Sequence, residues 1–435
     1  MPQPDRARLF ERAQLTHPDY LVYVPSSTDP MALDSTNEHF LVFDGPDGSL
    51  MTIWTQSWQD PATNHAVNHT MFARSEDEGQ TWSPPKQIAG PKDRGDPTFM
   101  TSWAFPMVSR LGRIYVIYNA HKGVAGWVRF HTGSMAGITS DDNGVTWSAP
   151  QEIPIPVSPY DDPEAKIQPE WIVWQKPMRD LSGGYFVGFS HWINRAAAGL
   201  KEVANWTQIE SVIEFIRFTN IDQNPEPCDL DVRYSAPEKA LRAPSRGNPL
   251  VSVAQEPSLI RLPDQRLFCV LRSGSGYIWW SQSHDDGATW CSPRPLLDRD
   301  FGRPLLNPVA SDPIYPLSDG RFILFYHNNP GGLAAGGMND ALPREPVFAA
   351  LGEFRPNAEQ PVWFSPPKLF ISTGGICPDG VKRNSMGYPH SHLSLYTSFT
   401  NRNGVDVLWY PENKFYLLGK RITPEWLFGL AVPAK

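Results

Sequence analysis

The chain has 435 residues, with 38 Lys and Arg against 46 Asp and Glu. Its formal net charge of −8 disfavours a protein that works by neutralising nucleic-acid phosphates. Apolar residues make up 40%, aromatic 12% and charged 19%, with 44 Pro, 33 Gly and 16 Trp; this is too aromatic for disorder and too rich in helix breakers for a helical bundle, so an all-β enzyme or binding protein is expected.

No window reaches the roughly 18 apolar residues needed to span a bilayer, so no membrane association is expected. The start, Met1-Pro2-Gln3-Pro4-Asp5-Arg6, has no apolar run resembling a signal peptide, and the expectation is a cytoplasmic protein or a secreted one whose signal has been removed. An N-terminal extension over 1–18 leads into a short strand at 19–24.

From there a pattern repeats: an apolar run, a short turn often built on Asp-Gly, then a second apolar run, which reads as two antiparallel strands. Copies fall at 39–54, 105–118, 171–189, 257–271, 314–325 and 393–409. A second motif, S-x-D-x-G-x-T-W, begins at Ser75, Ser140 and Ser283 and ends at Trp82, Trp147 and Trp290. Gly supplies a left-handed turn residue, Ser and Asp accept from turn amides, and Trp covers the junction with neighbouring strands, so the motif is structural. The second interval is about twice the first, and a degenerate copy is expected near 205–235. Units of this size with four short strands each predict a six-bladed β-propeller in one domain, with the strand at 19–24 closing the ring. The stretch 156–250 reads as an enlarged blade or insertion that has room for a seventh blade, with a helix-like segment at 200–218.

Cys228, Cys269, Cys291 and Cys377 are too widely spaced for a CxxC site; they read as mostly buried thiols, with a Cys269 to Cys291 bridge left open. No cofactor is expected, though a structural Ca²⁺ on scattered Asp residues stays open. The oligomeric state is not legible.

In a propeller the innermost strand of each blade points its first residues at the channel mouth. Nine residues before the turn positions Gly48, Gly112, Gln265 and Gly320 stand His39, Trp103, Glu256 and Ser311, the last followed by Asp312. In the third and sixth blades, Glu170 and His390 take the corresponding places by eye. Carboxylates, imidazoles and a Trp in one mouth suit a sugar site, because aromatic faces stack on pyranose rings and acid/base groups cleave glycosidic bonds. Each residue alone also fits a hydrogen-bonded strand end at a blade junction. His121, Trp127, Arg129 and His131 lie in the hairpin after the second blade's second strand, where they form a candidate lid over the mouth.

The three S-x-D-x-G-x-T-W boxes and the strand pair from Glu256 to Arg272 together resemble the sialidase (neuraminidase) superfamily of six-bladed Asp-box propellers. The resemblance implies a Tyr nucleophile activated by a Glu, an acid/base Asp from a first-blade loop, and an Arg triad for a carboxylate. Glu256 matches the activating Glu and Arg272 the second triad Arg. At the first triad Arg this chain has Asn37-Glu38-His39-Phe40. The nucleophile motif Tyr-Ser-x-Leu meets His390-Ser391-His392-Leu393, with Tyr388 as the other candidate, and no clear third Arg is found.

Three functions follow. The first is an exo-acting glycoside hydrolase on an acidic glycan, with Glu256 and Glu170 as the carboxylate pair, His39 and His390 assisting, and Arg272 holding an acidic group; Asp60 or Asp96 could supply the acid. The second is a polysaccharide lyase in which His39 abstracts the proton next to a uronate carboxylate; the Asn37-x-His39 opening resembles ulvan and rhamnose-glucuronate lyases. The third is a glycan-binding propeller without turnover. The first two expect an acidic oligosaccharide or polysaccharide as substrate.

Overall fold

The computed structural model describes residues 10, 16–29, 31–61, 66–122, 132–164, 168–193, 210–236, 239–246, 248–332, 343–372, 393 and 395–434. Six antiparallel sheets make a six-bladed propeller, four of them with four strands and two with five. Each sheet runs from an inner strand at the axis to an outer edge. The inner strands are Thr36–Asp44, Met100–Val108, Glu170–Ile172, Ala254–Arg261, Ile314–Pro316 and Ser398–Arg402. The last blade takes its outer strand, Tyr20–Tyr23, from the start of the chain, where it pairs with Tyr416–Ile422, so the expected closing strand is present.

The described residues of 156–250 contribute to the third blade and form no seventh one. The helix-like periodicity over 200–218 resolves differently: Ser211–Phe218 is the blade's third strand, and 200–209 lie outside the described residues. Val212, Phe215 and Ile216, at helix-like spacing, are all buried, and pairing on both edges overrides the helical pattern. In place of a fourth box, two 3-10 turns at Ile221–Gln223 and Pro227–Asp229 join this strand to Val232–Ser235.

The three boxes share one geometry. In the second, Ser140 Oγ donates to Asp142 Oδ1 at 2.8 Å, the Gly144 amide donates to Ser140 Oγ at 2.9 Å, and the Thr146 amide donates to Asp142 Oδ1 at 2.8 Å. Gly144 (φ +83°) packs so tightly on Phe72 of the preceding blade that a Cβ would lie 2.3 Å from the ring, and Gly287 meets Phe186 of the third blade in the same way. Each box therefore rivets its blade to the one before it. Around Gly287 the rivet extends into a stack, with Phe215 4.4 Å from Trp290 and 5.4 Å from Phe186. Cys269 is buried, Cys228 and Cys291 are exposed, and all three are free thiols, so the Cys269 to Cys291 bridge does not form.

No described helix is long and apolar enough to cross a membrane.

Candidate active site

Three inner strands are interrupted at the same level. Their pairing with the second strand shifts between Glu38 and Leu41, between Ser102 and Phe105, and between Gln255 and Ser258. At each bulge stands a non-glycine residue in the left-handed region: His39 (φ 51°), Trp103 (φ 56°) and Glu256 (φ 48°). The bulge frees a backbone amide, and the preceding blade satisfies it. The Trp103 amide donates to Thr55 Oγ1 at 3.2 Å and the Glu256 amide to Ser190 Oγ at 2.6 Å. Counting back from the turn residues thus places these three at equivalent positions.

The same count fails in the third blade. Thr55, Asn119 and Ser190 are each the seventh residue after their turn glycines, and they pair with Glu38, Ser102 and Ile172. Ile172 therefore precedes the bulge. Glu170 lies two residues further out, level with Met100, where its Oε1 accepts from Thr132 Oγ1 at 3.0 Å. It is not the axial partner of Glu256; residues 173–177 lengthen this bulge beyond the two-residue bulges of the other blades.

In the last blade the axial residue is Tyr396. Ser398 Oγ accepts from the Val42 amide of the next blade at 2.7 Å, as Ser258 Oγ accepts from the Ile314 amide at 2.9 Å. Ser398 and Ser258 are therefore equivalent, and Tyr396 corresponds to Glu256. Its hydroxyl donates to Glu256 Oε1 at 3.2 Å. His390 and Tyr388 lie outside the described residues, as do Trp127, Arg129 and His131. The sequence carried a signal for Tyr396: Tyr396-Thr397-Ser398-Phe399 keeps the Tyr, hydroxyl and apolar order of Tyr-Ser-x-Leu.

Around this Tyr and Glu the site is largely buried and rich in cations. Arg272 Nη1 lies 2.5 Å from Glu256 Oε1, with the two side chains 1% and 3% exposed. Arg344, also buried, donates from Nη2 to Val309 O at 2.9 Å and interacts with Tyr396, Arg272 and Glu256. Burial lowers its pKa, Arg272 adds to that, and Tyr396 and Glu256 oppose it. Its sequence signal was an Arg-Glu pair between Pro343 and Pro346, just before a buried strand. Lys414 lies 5.1 Å over the Tyr396 ring and forms an ion pair with Glu38. Asp312, fully buried next to Glu256 and Arg272, has its pKa pushed well up, chiefly by burial and then by the Glu256 charge, with Arg272 opposing. Arg272, Arg344 and Lys414 thus lie among three carboxyl groups, Glu256, Glu38 and Asp312.

His39 packs 4.9 Å from Trp103, and Trp103 meets Tyr396 edge-on at 5.2 Å. Burial pushes the His39 pKa down to about 3 against the opposing pull of Glu38. Neither ring nitrogen makes a well-formed hydrogen bond among the described residues, although the Trp174 backbone lies beside the ring. Asn37 is committed inside the fold. It donates to Asp34 O at 3.2 Å and Phe415 O at 3.0 Å, and it accepts from Trp54 Nε1 at 3.0 Å and Gln56 Nε2 at 2.7 Å, so it is not a substrate ligand.

A cavity of about 380 Å³ opens between the first two blades, walled by Trp58, Asp60, Arg94, Asp96, Phe99 and His121. His121 is buried at a strand end, with Nδ1 2.9 Å from Thr132 O, so it forms cavity wall and not an exposed lid. Asp96 is tied to the amides of Lys92 (2.9 Å) and Thr98 (2.8 Å). Thr98 and Lys92 hold its pKa down at about 2, which makes it a poor proton donor. No group of three or more His, Cys, Asp or Glu among the described residues is placed to hold a metal ion.

Residues 48–393 match the BNR repeat-like domain family. No curated protein matches the sequence. Among solved structures, the chain is similar to the Hadza microbial sialidase Hz136, with 14% identity and a TM-score of 0.57 over 90% of this chain and 66% of that one. It is also similar to the NanB sialidase of Streptococcus pneumoniae, with 9% identity and a TM-score of 0.59 over 95% and 71%. A third similar structure is the intramolecular trans-sialidase of Ruminococcus gnavus, with 13% identity and a TM-score of 0.55 over 92% and 96%. At these identities the likeness is one of fold.

Proposed function

From the premise that the chain belongs to the BNR repeat-like domain family, we propose that it is a sialidase-like, exo-acting glycoside hydrolase that cleaves a terminal bond in an acidic glycan. The observation that carries this reading is the Tyr396 hydroxyl donating to Glu256 Oε1 at 3.2 Å. Tyr396 oxygen attacks the anomeric carbon while Glu256 takes its proton, and the bond to the leaving oxygen breaks. Asp60, on the wall of the neighbouring cavity, protonates that oxygen. Its carboxylate then takes a proton from water, which attacks the anomeric carbon; the bond from that carbon to the Tyr396 oxygen breaks, and Glu256 returns the proton to that oxygen. Arg272 and Arg344 hold the substrate's acidic group. Trp58 and Phe99 offer apolar faces to the leaving sugar.

The lyase alternative would need His39 as a base, and a pKa of about 3 leaves it weakly basic at neutral pH. The test is incubation with sialosides, rhamnose-glucuronate side chains and ulvan, following reducing ends together with the ultraviolet absorbance of unsaturated uronates. Reducing ends without that absorbance are expected, and Tyr396→Phe should abolish their release. A Tyr396→Phe variant that releases them at the wild-type rate sinks the proposal.

A further inference from the structure

We propose that Lys414 is a third anion-binding cation of this site and that Glu38 holds its place until the substrate's acidic group displaces it. The inference rests on the acidic-glycan part of the reading above and not on turnover.

Lys414 is placed by a turn that only a specific sequence context makes tolerable. The Phe415 amide donates to Glu412 O at 2.9 Å, and the two central residues, Asn413 (φ 53°) and Lys414 (φ 51°), are both left-handed. This type of turn favours Gly at its second central position, and here a Lys stands there. The first blade clamps the turn: the Asn37 amide donates to Lys414 O at 2.7 Å and Asn37 Nδ2 to Phe415 O at 3.0 Å. The ammonium lies 5.1 Å over the ring of Tyr396, the residue that the reading above makes the nucleophile.

The Lys414 and Glu38 side chains are each 20% exposed, whereas Arg272 is 1% exposed. The ion pair with Glu38 is thus the part of the cationic cluster that solvent and a ligand can reach. Burial opposes the charge on Lys414, but Glu38 and Tyr396 outweigh it and hold the ammonium above its ordinary pKa, with Arg344 working against them. A carboxylate entering over Tyr396 replaces one anionic partner of Lys414 with another. Arg272 and Arg344 gain a shared ligand, and the released Glu38 carboxylate turns to the solvent that already reaches it.

The plain alternative is a structural ion pair that seals the junction between the last and first blades. Calorimetric titration of the full chain with glucuronate and N-acetylneuraminate, each beside its neutral methyl ester, separates the two. At least one acid should bind more tightly than its ester. Lys414→Met should weaken that acid about ten-fold or more and leave the ester unchanged, and Lys414→Arg should stay within about three-fold of wild type. Glu38→Gln should tighten acid binding, because the competing carboxylate is gone. An unchanged ratio of acid to ester affinity in Lys414→Met, weaker acid binding in Glu38→Gln, or no binding of either acid by the wild type overturns the inference. Binding that depends on Lys414 without hydrolysis of the 4-methylumbelliferyl glycoside of that acid overturns the hydrolase reading alone. Hydrolysis indifferent to Lys414 overturns this inference alone.

Discussion

Arg272 and Glu256 lie on neighbouring strands of the fourth blade, their charged atoms 2.5 Å apart and their side chains almost wholly shielded from water. The pair fixes the carboxylate that receives the Tyr396 hydroxyl. Glu256→Gln keeps the shape and removes both the base and the counter-charge of a buried guanidinium. The expected result is a loss in kcat of about 10²–10⁴-fold, with a destabilisation of about 3 kcal/mol in denaturant unfolding. A variant with undiminished kcat would remove Glu256 from the mechanism.

His191 gives the fold a pH dependence of its own. Its Nδ1 lies 2.5 Å from Glu214 Oε2 and its Nε2 3.1 Å from Asp161 Oδ1. Burial works against the imidazolium, but the two carboxylates more than offset it and raise the pKa from 6.5 to about 9. A raised folded-state pKa adds stability that is fully present below pH 6.5 and is lost as the pH rises through about 9. The contribution is about 3 kcal/mol. Tm measured from neutral to alkaline pH should fall across this window, and the fall should flatten in His191→Gln. An identical profile in the variant would assign the transition to another group.

Gly144 tests the blade rivet. An alanine there would need a left-handed backbone and would drive its Cβ into the Phe72 ring. Gly144→Ala should cost about 2–4 kcal/mol, and pairing it with Phe72→Leu should recover part of that loss. Thermal unfolding of the single and double variants reads this directly; strictly additive losses would mean that the two residues do not meet.

His39 separates hydrolysis from elimination. Asn tolerates the left-handed backbone at this position (φ 51°) better than most side chains. As a neutral group packed on Trp103, His39 should be replaceable by Asn with less than about a ten-fold fall in kcat. Complete loss of activity, with unsaturated uronate formed by the wild type, would instead make His39 the base.

The repeats, the boxes and the closing strand were legible in the sequence because each is a local pattern: alternating apolar runs, a turn glycine, a Ser and an Asp that satisfy the turn amides. The same local count reached His39, Trp103 and Glu256, whose blades keep one hairpin length and a two-residue bulge. It missed where those lengths change. The five residues at 173–177 pushed Glu170 off the axis, and the tight Asn403-Gly404 turn hid Tyr396 behind an apparent strand. Arg344 of the fifth blade reaches Glu256 across the junction with the fourth, and Lys414 of the last blade meets Glu38 of the first only when the ring closes. The sequence by itself determined the propeller, since each blade's strands and turns depend on contacts near in the chain. Only the tertiary structure decided the site, because its charges come from separate blades and are brought together at an axis that no single repeat encodes.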